Sequence, residues 1–308
     1  HEKGYKYIHT EEGVHNETYK IFVNFINYTD ISYLPLNIFN NVPVEIIDGM
    51  KMAHPHFMLI DAYRVYTDPI NSFWRLDKTF SRFNVLDNLY PFYDEDLVSN
   101  NFSINFKKKP TKFLKGKEHY QVHEWIRKKL IHKSKLVVIG YYGYQYYLKK
   151  TDIDKLFAFF PYYQVISIDY KKDVSEIYKE LVKKYKNKIT FKEFFKFSQF
   201  YDTNIMFYFD NNPIFQIFGH NERCTVYRYS KKKQTYFGTI QLILKYFLIA
   251  YNYAIINRTK NEKSFRILFS NLIFARKSYL ENKTLGVMDD TAFKGFTIKC
   301  FGDTIDTI

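Results

Sequence analysis

The sequence predicts an α+β protein made of three consecutive regions, and the spacing of its apolar residues predicts each one. Residues 1–53 are rich in β-branched and aromatic residues separated by turn signals, which favours strands. Residues 54–135 carry apolar residues at helical spacing. In the third region, 136–308, short apolar strands first alternate with amphipathic helices, as in an α/β domain, and two further helices follow.

Composition limits the classes of protein that this chain can represent. Of its 308 residues 46% are apolar, which is enough for a buried core and too many for a disordered chain. Its 46 Lys and Arg exceed its 32 Asp and Glu, and the net charge of +14 favours a polyanionic partner. The two cysteines, Cys224 and Cys300, exclude a disulfide scaffold and a four-cysteine zinc site, and they fit a reducing setting.

The first region predicts one long strand over residues 18–34 and a short strand, Val44–Ile47, that ends at the turn Asp48-Gly49. Asp30 lies near the end of the long strand. It is either a strand-end cap or a metal ligand, because nucleotidyl transfer needs carboxylates that hold two divalent metals about 4 Å apart.

The middle region predicts a helix that Pro55 begins and Asp68-Pro69 stops. A second helix is predicted from Pro69 to about Asn88. Its apolar face comprises Phe73, Leu76, Phe80, Phe83 and Leu86.

Positive charge is concentrated in two places in the middle region. Arg75, Lys78 and Arg82 share one helix face and are candidates for phosphate or nucleotide binding, with a plain solvated face as the alternative. Residues 92–118 are predicted to form a linker, and Val122–Lys135 an amphipathic helix whose inward face comprises Val122, Trp125, Ile126 and Leu130. The 29 residues from 107 to 135 carry eleven basic residues against two acidic ones, or +9 of the +14. We expect this block to bind RNA phosphates, and a solvated surface or a membrane surface is less favoured. Its basic residues are Lys107, Lys108, Lys109, Lys112, Lys115, Lys117, Arg127, Lys128, Lys129, Lys133 and Lys135.

The third region begins with the element order of a nucleotidyltransferase palm. An apolar strand ends in Gly140, a helix follows, and the next strand runs from Tyr163 to Tyr170. In such a palm the glycine turn admits a triphosphate and the next strand presents two alternate aspartates. Here the alternate pair is Ser167 and Asp169, so we expect the geometry of a palm without its two-metal chemistry.

The remaining elements are predicted from caps and apolar runs. Asp173 is the expected N-cap of a helix, strands follow near 203–209 and 213–218, and two helices fill 238–283. The most apolar stretch, Tyr236–Asn257, is interrupted at its middle by Lys245, which favours a buried helix over a membrane span.

Other possible motifs are weaker. The run His220–Cys224 lacks a second pair of ligands, so metal binding there is not favoured. His54 and His56 are expected to be structural or to face RNA. The sequence contains no P-loop, dinucleotide-binding fingerprint, nucleophile elbow or zinc-protease motif.

Several segments resemble the poly(A) polymerase catalytic subunit of nucleocytoplasmic large DNA viruses, and its mimivirus-type members in particular. The resemblance covers nearly the whole chain, and its most specific parts read D-I-S-Y-x-P and N-I-F-N. The segments that carry it are Thr29–Pro43, His54–Phe57, Asp61–Arg64, Asp68–Thr79, Val138–Tyr142 and His220–Cys224.

This resemblance implies viral mRNA polyadenylation, the template-independent transfer of AMP from ATP to an RNA 3′-OH. The 3′-OH would attack the α-phosphate in line, with Mg²⁺ or Mn²⁺ as cofactor. The implied partners are ATP, the RNA 3′ end, and either a second copy of the chain or a separate processivity subunit, with no membrane. The implied location is the viral factory in the host cytoplasm, and also the virion.

The resemblance also implies a catalytic palm, a helical middle and a second, degenerate nucleotidyltransferase-like domain, with boundaries at residues 53 and 135. Asp30 matches the third catalytic, metal-binding carboxylate, and Asn24 is a less favoured alternative. Only 29 residues precede Asp30 and none contains D-x-D. We therefore expect the first palm to lack its opening half and this chain alone not to polyadenylate. The rival expectation is a non-catalytic RNA-binding or assembly protein, and a CCA-adding enzyme is less favoured.

Overall fold

A computed structural model shows three separate sheets in the chain. It describes residues 4, 7–13, 18–100, 116–132, 134–151, 161–197, 200–220, 224–283, 291–294, 297 and 299–302. Within this part of the chain the strands form a three-stranded sheet, a two-stranded hairpin and an eight-stranded sheet.

The three-stranded sheet joins β1 (Ile8–Glu12), β2 (Thr18–Val23) and β3 (Ile26–Ser32) as antiparallel neighbours. The prediction of one long strand over 18–34 is wrong, because the chain reverses at Asn24 and Phe25. Both residues have positive φ angles, 49° and 66°, as a tight two-residue hairpin requires. Every residue of β3 is exposed, so this strand presents an uncovered surface.

A short helix, α1 (Leu36–Phe39), leads to a hairpin of β4 (Val44–Ile47) and β5 (Met50–Ala53). The predicted strand β4 and its turn are confirmed. β5 was not predicted, because its sequence Met-Lys-Met-Ala lacks the β-branched and aromatic residues typical of strands.

The helix α2 (Pro55–Tyr66) confirms the first helical prediction. The second predicted helix begins later than expected, since a 3₁₀ turn at Phe73–Arg75 precedes α3 (Leu76–Leu89). Its apolar face is only partly covered: Phe83 packs against Tyr63 of α2 with ring centroids 5.8 Å apart, whereas Phe80 is exposed. A further helix, α4 (Glu95–Asn100), lies in the segment predicted as a linker.

The amphipathic helix predicted from Val122 begins five residues earlier, as α5 (Lys117–Ile126), and continues into a π-helical turn over Arg127–Ile131. Three of the four residues predicted to face inward, Val122, Ile126 and Leu130, are buried. The fourth, Trp125, is half-buried.

The eight-stranded sheet is mixed. In space its order is β13-β11-β12-β6-β7-β10-β9-β8, with β7 antiparallel to β6 and parallel to β10. The strands are β6 (Val137–Ile139), β7 (Tyr163–Ser167), β8 (Ile189–Phe194), β9 (Asn204–Phe209), β10 (Asn212–Gly219), β11 (Thr225–Ser230), β12 (Thr235–Gly238) and β13 (Cys300–Phe301). The predictions for β6, β7, β9 and β10 are confirmed.

Four longer helices accompany this sheet: α6 (Gly140–Leu148), α7 (Tyr170–Tyr185), α8 (Ile240–Ile256) and α9 (Glu262–Glu281). On one face Phe218 of β10 contacts Tyr246 of α8, with ring centroids 4.9 Å apart. On the other face Tyr163 of β7 contacts His123 of α5, and Tyr185 of α7 contacts the strand residue Phe209. The sheet therefore lies between two helical layers.

The apolar helix α8 is buried as predicted. Lys245 at its centre is 1% exposed and lies over the Tyr246 ring, 5.3 Å from the centroid. Among the described residues, no helix combines the length and the apolar character that crossing a membrane would need.

The two cysteines are joined in a disulfide between Cys224, which precedes β11, and Cys300 of β13. The expectation that they fit a reducing setting is therefore not met. Sequence alone could not pair them because 76 positions separate them, and only the adjacency of β11 and β13 brings them together.

Candidate catalytic residue, RNA-binding surface and nucleotidyltransferase-like site

Asp30 lies within β3, directly opposite Lys20 of β2. The Asn27 side chain donates a hydrogen bond from Nδ2 to the Asp30 Oδ1 over 3.3 Å. Both residues are exposed, so this carboxylate can be reached from solvent. The predicted catalytic and metal-binding role of Asp30 stays a prediction.

The described residues do not by themselves fit a two-metal site. No three His, Cys, Asp or Glu side chains in the described ranges gather closely enough to hold a metal ion. Asn24, the alternative to Asp30, forms the β2–β3 turn, and its backbone N–H donates to the Tyr7 carbonyl over 2.9 Å. The left-handed backbone conformation of the turn explains why an Asn occupies this position, because Asn adopts that conformation more readily than most residues.

The three predicted phosphate-binding residues follow α2 in the chain. Arg75 is half-buried in the 3₁₀ turn, and Lys78 and Arg82 are exposed on α3. Because Lys78 and Arg82 are four residues apart in one helix, they share a face, as predicted.

Only part of the predicted RNA-binding block can be located. Lys117, Lys128, Lys129 and Lys135 are exposed on or beside α5 and the π-helical turn. Lys107, Lys108, Lys109, Lys112, Lys115 and Lys133 lie outside the described residues. The remaining member, Arg127, is engaged by Glu124 through two hydrogen bonds, of 2.7 Å and 3.2 Å, and is therefore less available to a phosphate.

The fold brings further cations to Arg127 from distant segments. Lys233, which precedes β12, lies over the rings of Tyr142 and Phe237, with Nζ 4.8 Å and 5.4 Å from their centroids. Burial, together with the nearby charges of Lys149, Arg127, Lys150 and Lys232, lowers the pKa of Lys233 to about 8. We call Arg127, Lys149, Lys150, Lys232 and Lys233 the basic surface.

Sequence reasoning missed four of these five cations because they form two short groups far from the basic block in sequence. Lys149 and Lys150 directly follow α6, while Lys232 and Lys233 form the β11–β12 turn. The triplet Lys231–Lys233 at a hairpin turn was the one available signal.

The elements β6, α6 and β7 follow one another in the predicted palm-like order. Of the predicted polar pair, Ser167 and Asp169, only Ser167 lies on β7. β7 ends at Ser167, whose hydroxyl donates to the Asp173 carboxylate and accepts from the Asp169 N–H. Ser167 and Asp169 therefore build the strand-to-helix turn. The helix α7 starts at Tyr170, so Asp173 lies in its first turn and is not its N-cap as predicted.

The strand position that faces the glycine turn is Gln164. Gly140 has a φ of 58°, and a side chain there would overlap the Gln164 carboxamide. Gln164 Nε2 donates to Gln216 Oε1 over 2.9 Å, and Gln216 Nε2 donates to Asn204 Oδ1 over 2.8 Å. Three neutral amides thus occupy three strands at this place, and amides supply no charge to neutralise a metal.

The histidines weighed as ligands have structural partners. His54 caps α2, because its Nδ1 accepts a hydrogen bond from the His56 N–H over 3.1 Å. His56 packs edge-on against Phe92, and burial lowers the His56 pKa to about 4. His220 lies within hydrogen-bond distance of Thr225 through its side chain, and its N–H donates to the Ser167 carbonyl.

Two family models match the chain in succession. The model described as "Poly(A) polymerase catalytic subunit" matches residues 1–72. The model described as "APMV, Putative poly(A) polymerase, catalytic subunit, C-terminal" matches residues 85–308, which is more than half of the chain. The chain belongs to this second family. The predicted resemblance to mimivirus-type poly(A) polymerase catalytic subunits is thereby confirmed.

Relatives of this poly(A) polymerase family member are viral. The "Putative poly(A) polymerase catalytic subunit" of Acanthamoeba polyphaga mimivirus is 28% identical over 335 aligned positions, which cover 98% of this chain and 56% of the relative. The protein of the same name from African swine fever virus (strain Badajoz 1971 Vero-adapted) is 29% identical over 117 positions, 35% of this chain and 25% of its own length.

The crystal structure of the Megavirus polyadenylate synthase resembles this family member with a TM-score of 0.77 and 27% identity, over 99% of this chain and 61% of the Megavirus chain. The mixed α+β fold predicted from the sequence is thus similar to that of a polyadenylate synthase. The chain spans 56% of the mimivirus relative and 61% of the Megavirus one.

Proposed function

We propose that this chain forms part of a viral poly(A) polymerase, which transfers AMP from ATP to an RNA 3′-OH without a template. One observation carries the proposal: the two poly(A) polymerase family models together match residues 1–72 and 85–308. The similarity to the Megavirus polyadenylate synthase over 99% of this chain supports it.

The proposed architecture has an incomplete catalytic palm in residues 1–53, a helical middle in 54–135 and a second nucleotidyltransferase-like domain in 136–308. The exposed strand β3 supports the incomplete palm, because Ile26, Tyr28 and Ile31 present 72%, 67% and 53% of their surfaces to solvent. Several large apolar side chains exposed along one strand are typical of a face that another segment covers.

In this proposal Asp30 supplies one carboxylate to the Mg²⁺ or Mn²⁺ site of the complete palm. The described residues do not fit that site alone, so in this proposal the other carboxylates come from residues beyond the described ones. The chain's own contribution is to hold Asp30 on a hairpin whose register is fixed by the tight turn at Asn24 and Phe25.

The basic surface is proposed to hold RNA phosphates, together with the predicted cations of residues 107–135. Arg75, Lys78 and Arg82 are proposed to contact the triphosphate or the RNA backbone. The relatives are called catalytic subunits, and we propose as partner either a second copy or a separate processivity subunit, in the viral factory of the host cytoplasm and in the virion.

A second candidate function is a non-catalytic RNA-binding or assembly protein. The observation that favours it is the lack of any three-ligand metal cluster among the described residues, combined with the neutral Gln164, Asn204 and Gln216 in the second domain.

Primer extension separates the two functions. The 308-residue chain and the same chain joined to the segment encoded directly upstream are each incubated with ATP, Mn²⁺ and an oligo(A) primer. The proposal predicts extension only with the upstream segment. Extension by the 308-residue chain alone contradicts the incomplete palm, and no extension by either protein favours the non-catalytic function.

A further inference from the structure

A cavity of about 270 Å³ opens between the main sheet and α8. From the sheet side it is lined by Gln164, Asn204 and Gln216, and from the helix side by Phe247, Ala250 and Tyr253. Asp30 and the residues of the basic surface do not line it, so it is a separate feature of the molecule.

The three side-chain amides on the sheet side of this cavity form a directed chain of hydrogen bonds with two open ends. Because Gln164 donates to Gln216 and Gln216 donates to Asn204, the Gln164 Oε1 and the Asn204 Nδ2 have no hydrogen-bond partner within the described residues. If the oxygen and nitrogen atoms of all three side-chain amides are exchanged, Gln164 carries the unused donor and Asn204 the unused acceptor. One acceptor and one donor therefore remain in either orientation. Asn204 is 2% exposed, so its remaining hydrogen-bonding group depends on whatever occupies the cavity.

The rest of the lining is neutral and largely aromatic. No Asp, Glu, Lys, Arg or His is among the lining residues that the structure describes. A phosphate or a metal ion would therefore lose its hydration without gaining a counter-charge. The rings of Tyr162, Phe218, Phe247 and Tyr253 instead offer faces and edges to a planar ligand.

The volume of the cavity further restricts the class of ligand that it can hold. An apolar cavity of about 150 Å³ holds one benzene ring. The present cavity is larger, with room for a two-ring base, while the triphosphate of a nucleotide would have to remain in solvent.

We propose that this cavity binds a purine base by stacking and by hydrogen bonds to the two ends of the amide chain, without a metal ion. This second site is distinct from the catalytic site proposed above and does not depend on it. The base can belong to a free nucleoside or to a nucleotide of an RNA strand, and the two sources share the same chemistry.

Calorimetric titration of the 308-residue chain in EDTA tests the proposal, with adenosine, guanosine, cytidine and oligo(A) as probes. We expect saturable binding of adenosine or guanosine that is at least about 10-fold tighter than that of cytidine. If filling the cavity with Ala250→Phe weakens the binding of oligo(A) as well as that of adenosine, the RNA strand is the source, and if it weakens only that of adenosine, the source is the free nucleoside. Equal binding of cytidine and the purine nucleosides, or no saturation by either purine nucleoside up to about 10 mM, overturns the proposal.

Two variants locate the site. Ala250→Phe fills the cavity from α8 and is expected to weaken purine binding at least about 10-fold, whereas Asp30→Asn is expected to leave it unchanged. Unchanged affinity in a folded Ala250→Phe protein contradicts the assignment to this cavity. If Ala250→Phe does not fold, Ala254→Leu fills the same cavity with a smaller side chain. Loss of binding in Asp30→Asn would place the purine at the first palm instead.

Discussion

Gln164 on β7 donates a 2.9 Å hydrogen bond to Gln216 on β10, and the two residues are direct partners in the parallel register of these strands. They lie beside the glycine turn at Gly140, whereas the predicted palm-like order placed its polar pair at Ser167 and Asp169. Two side-chain amides can form a hydrogen bond with each other without any counter-ion, whereas two carboxylates at this distance would repel each other. The hydrogen bonds between these amides therefore need no counter-charge.

Replacing the central amide tests how much this chain of hydrogen bonds stabilises the sheet. Gln216→Ala removes the acceptor for Gln164 and the donor for Asn204, and each buried group left without a partner costs about 1–3 kcal/mol. We expect the free energy of unfolding in urea to fall by about 2–5 kcal/mol. The control Gln121→Ala, on the exposed side of α5, should change it by less than about 0.5 kcal/mol. A similar small loss for Gln216→Ala would show that water replaces the amide.

Gly140→Ala tests the close approach of the glycine turn to Gln164. A side chain at a φ of 58° is strained by about 1–2 kcal/mol, and here it also overlaps the Gln164 carboxamide. Gly49→Ala is a matched control, because Gly49 has a φ of 77° and open space around it. We expect Gly140→Ala to lower the free energy of unfolding by at least about 1 kcal/mol more than Gly49→Ala. Equal losses of unfolding free energy in the two variants would mean that the strained backbone alone, and not the overlap with Gln164, destabilises the protein.

These features show what the sequence could and could not predict. Apolar periodicity located α2, α8 and four of the eight described strands of the main sheet, since burial of one face leaves a direct trace in the sequence. The turn at Asn24 and Phe25 was missed because its left-handed residues interrupt a run that otherwise reads as one strand. A single long strand and a hairpin have nearly the same composition.

The sites were predictable to different degrees. Asp30 and the basic block could be proposed from the sequence because charge and family motifs are local in sequence, and their roles stay predictions. Gln164, Asn204 and Gln216 come together only through the register of β7, β10 and β9, and a neutral Gln in a strand gives no chemical signal by itself. Lys233 was missed for the same reason, since α6 and the β11–β12 turn meet only in the folded protein.

The basic surface predicts a pH dependence of RNA binding. Lys233 is positively charged below its pKa of about 8, so its attraction for phosphate is lost as the pH rises from 7 to 9. We expect the affinity for labelled oligo(A), measured by fluorescence anisotropy at constant salt, to fall about 5-fold or more over this range. Lys233→Met should bind more weakly at pH 7 and lose most of the pH dependence.

The control Lys179→Met removes the same charge from the exposed face of α7 and should keep the pH dependence. The effect of Lys233 on stability has the opposite sign. Its pKa is lowered in the folded state, so between about pH 8 and 10 the unfolded chain binds more protons and this group makes folding more favourable as the pH rises. If the affinity for oligo(A) depends on pH in the same way in wild type and Lys233→Met, a contact between Lys233 and RNA is contradicted.

The disulfide predicts that the folded protein has no reactive thiol. Titration with a thiol reagent in denaturant, without reductant, should find neither Cys224 nor Cys300. Cys300→Ser should lower the free energy of unfolding by about 2–4 kcal/mol, since the bond closes a long loop. The difference between wild type and variant should vanish once dithiothreitol reduces the bond. Two titratable thiols in the untreated protein would contradict the pairing.

The central claim is that this chain supplies Asp30 to the catalytic palm of a viral poly(A) polymerase. Its most direct test is primer extension by the longer protein that contains this chain, with ATP, Mn²⁺ and oligo(A), comparing wild type, Asp30→Asn and Asp48→Asn. Asp48→Asn makes the same chemical change in the β4–β5 turn, where Asn tolerates the left-handed φ of 49°. The account predicts that Asp30→Asn lowers the rate at least about 100-fold while Asp48→Asn retains it. Wild-type rates in Asp30→Asn would contradict the account.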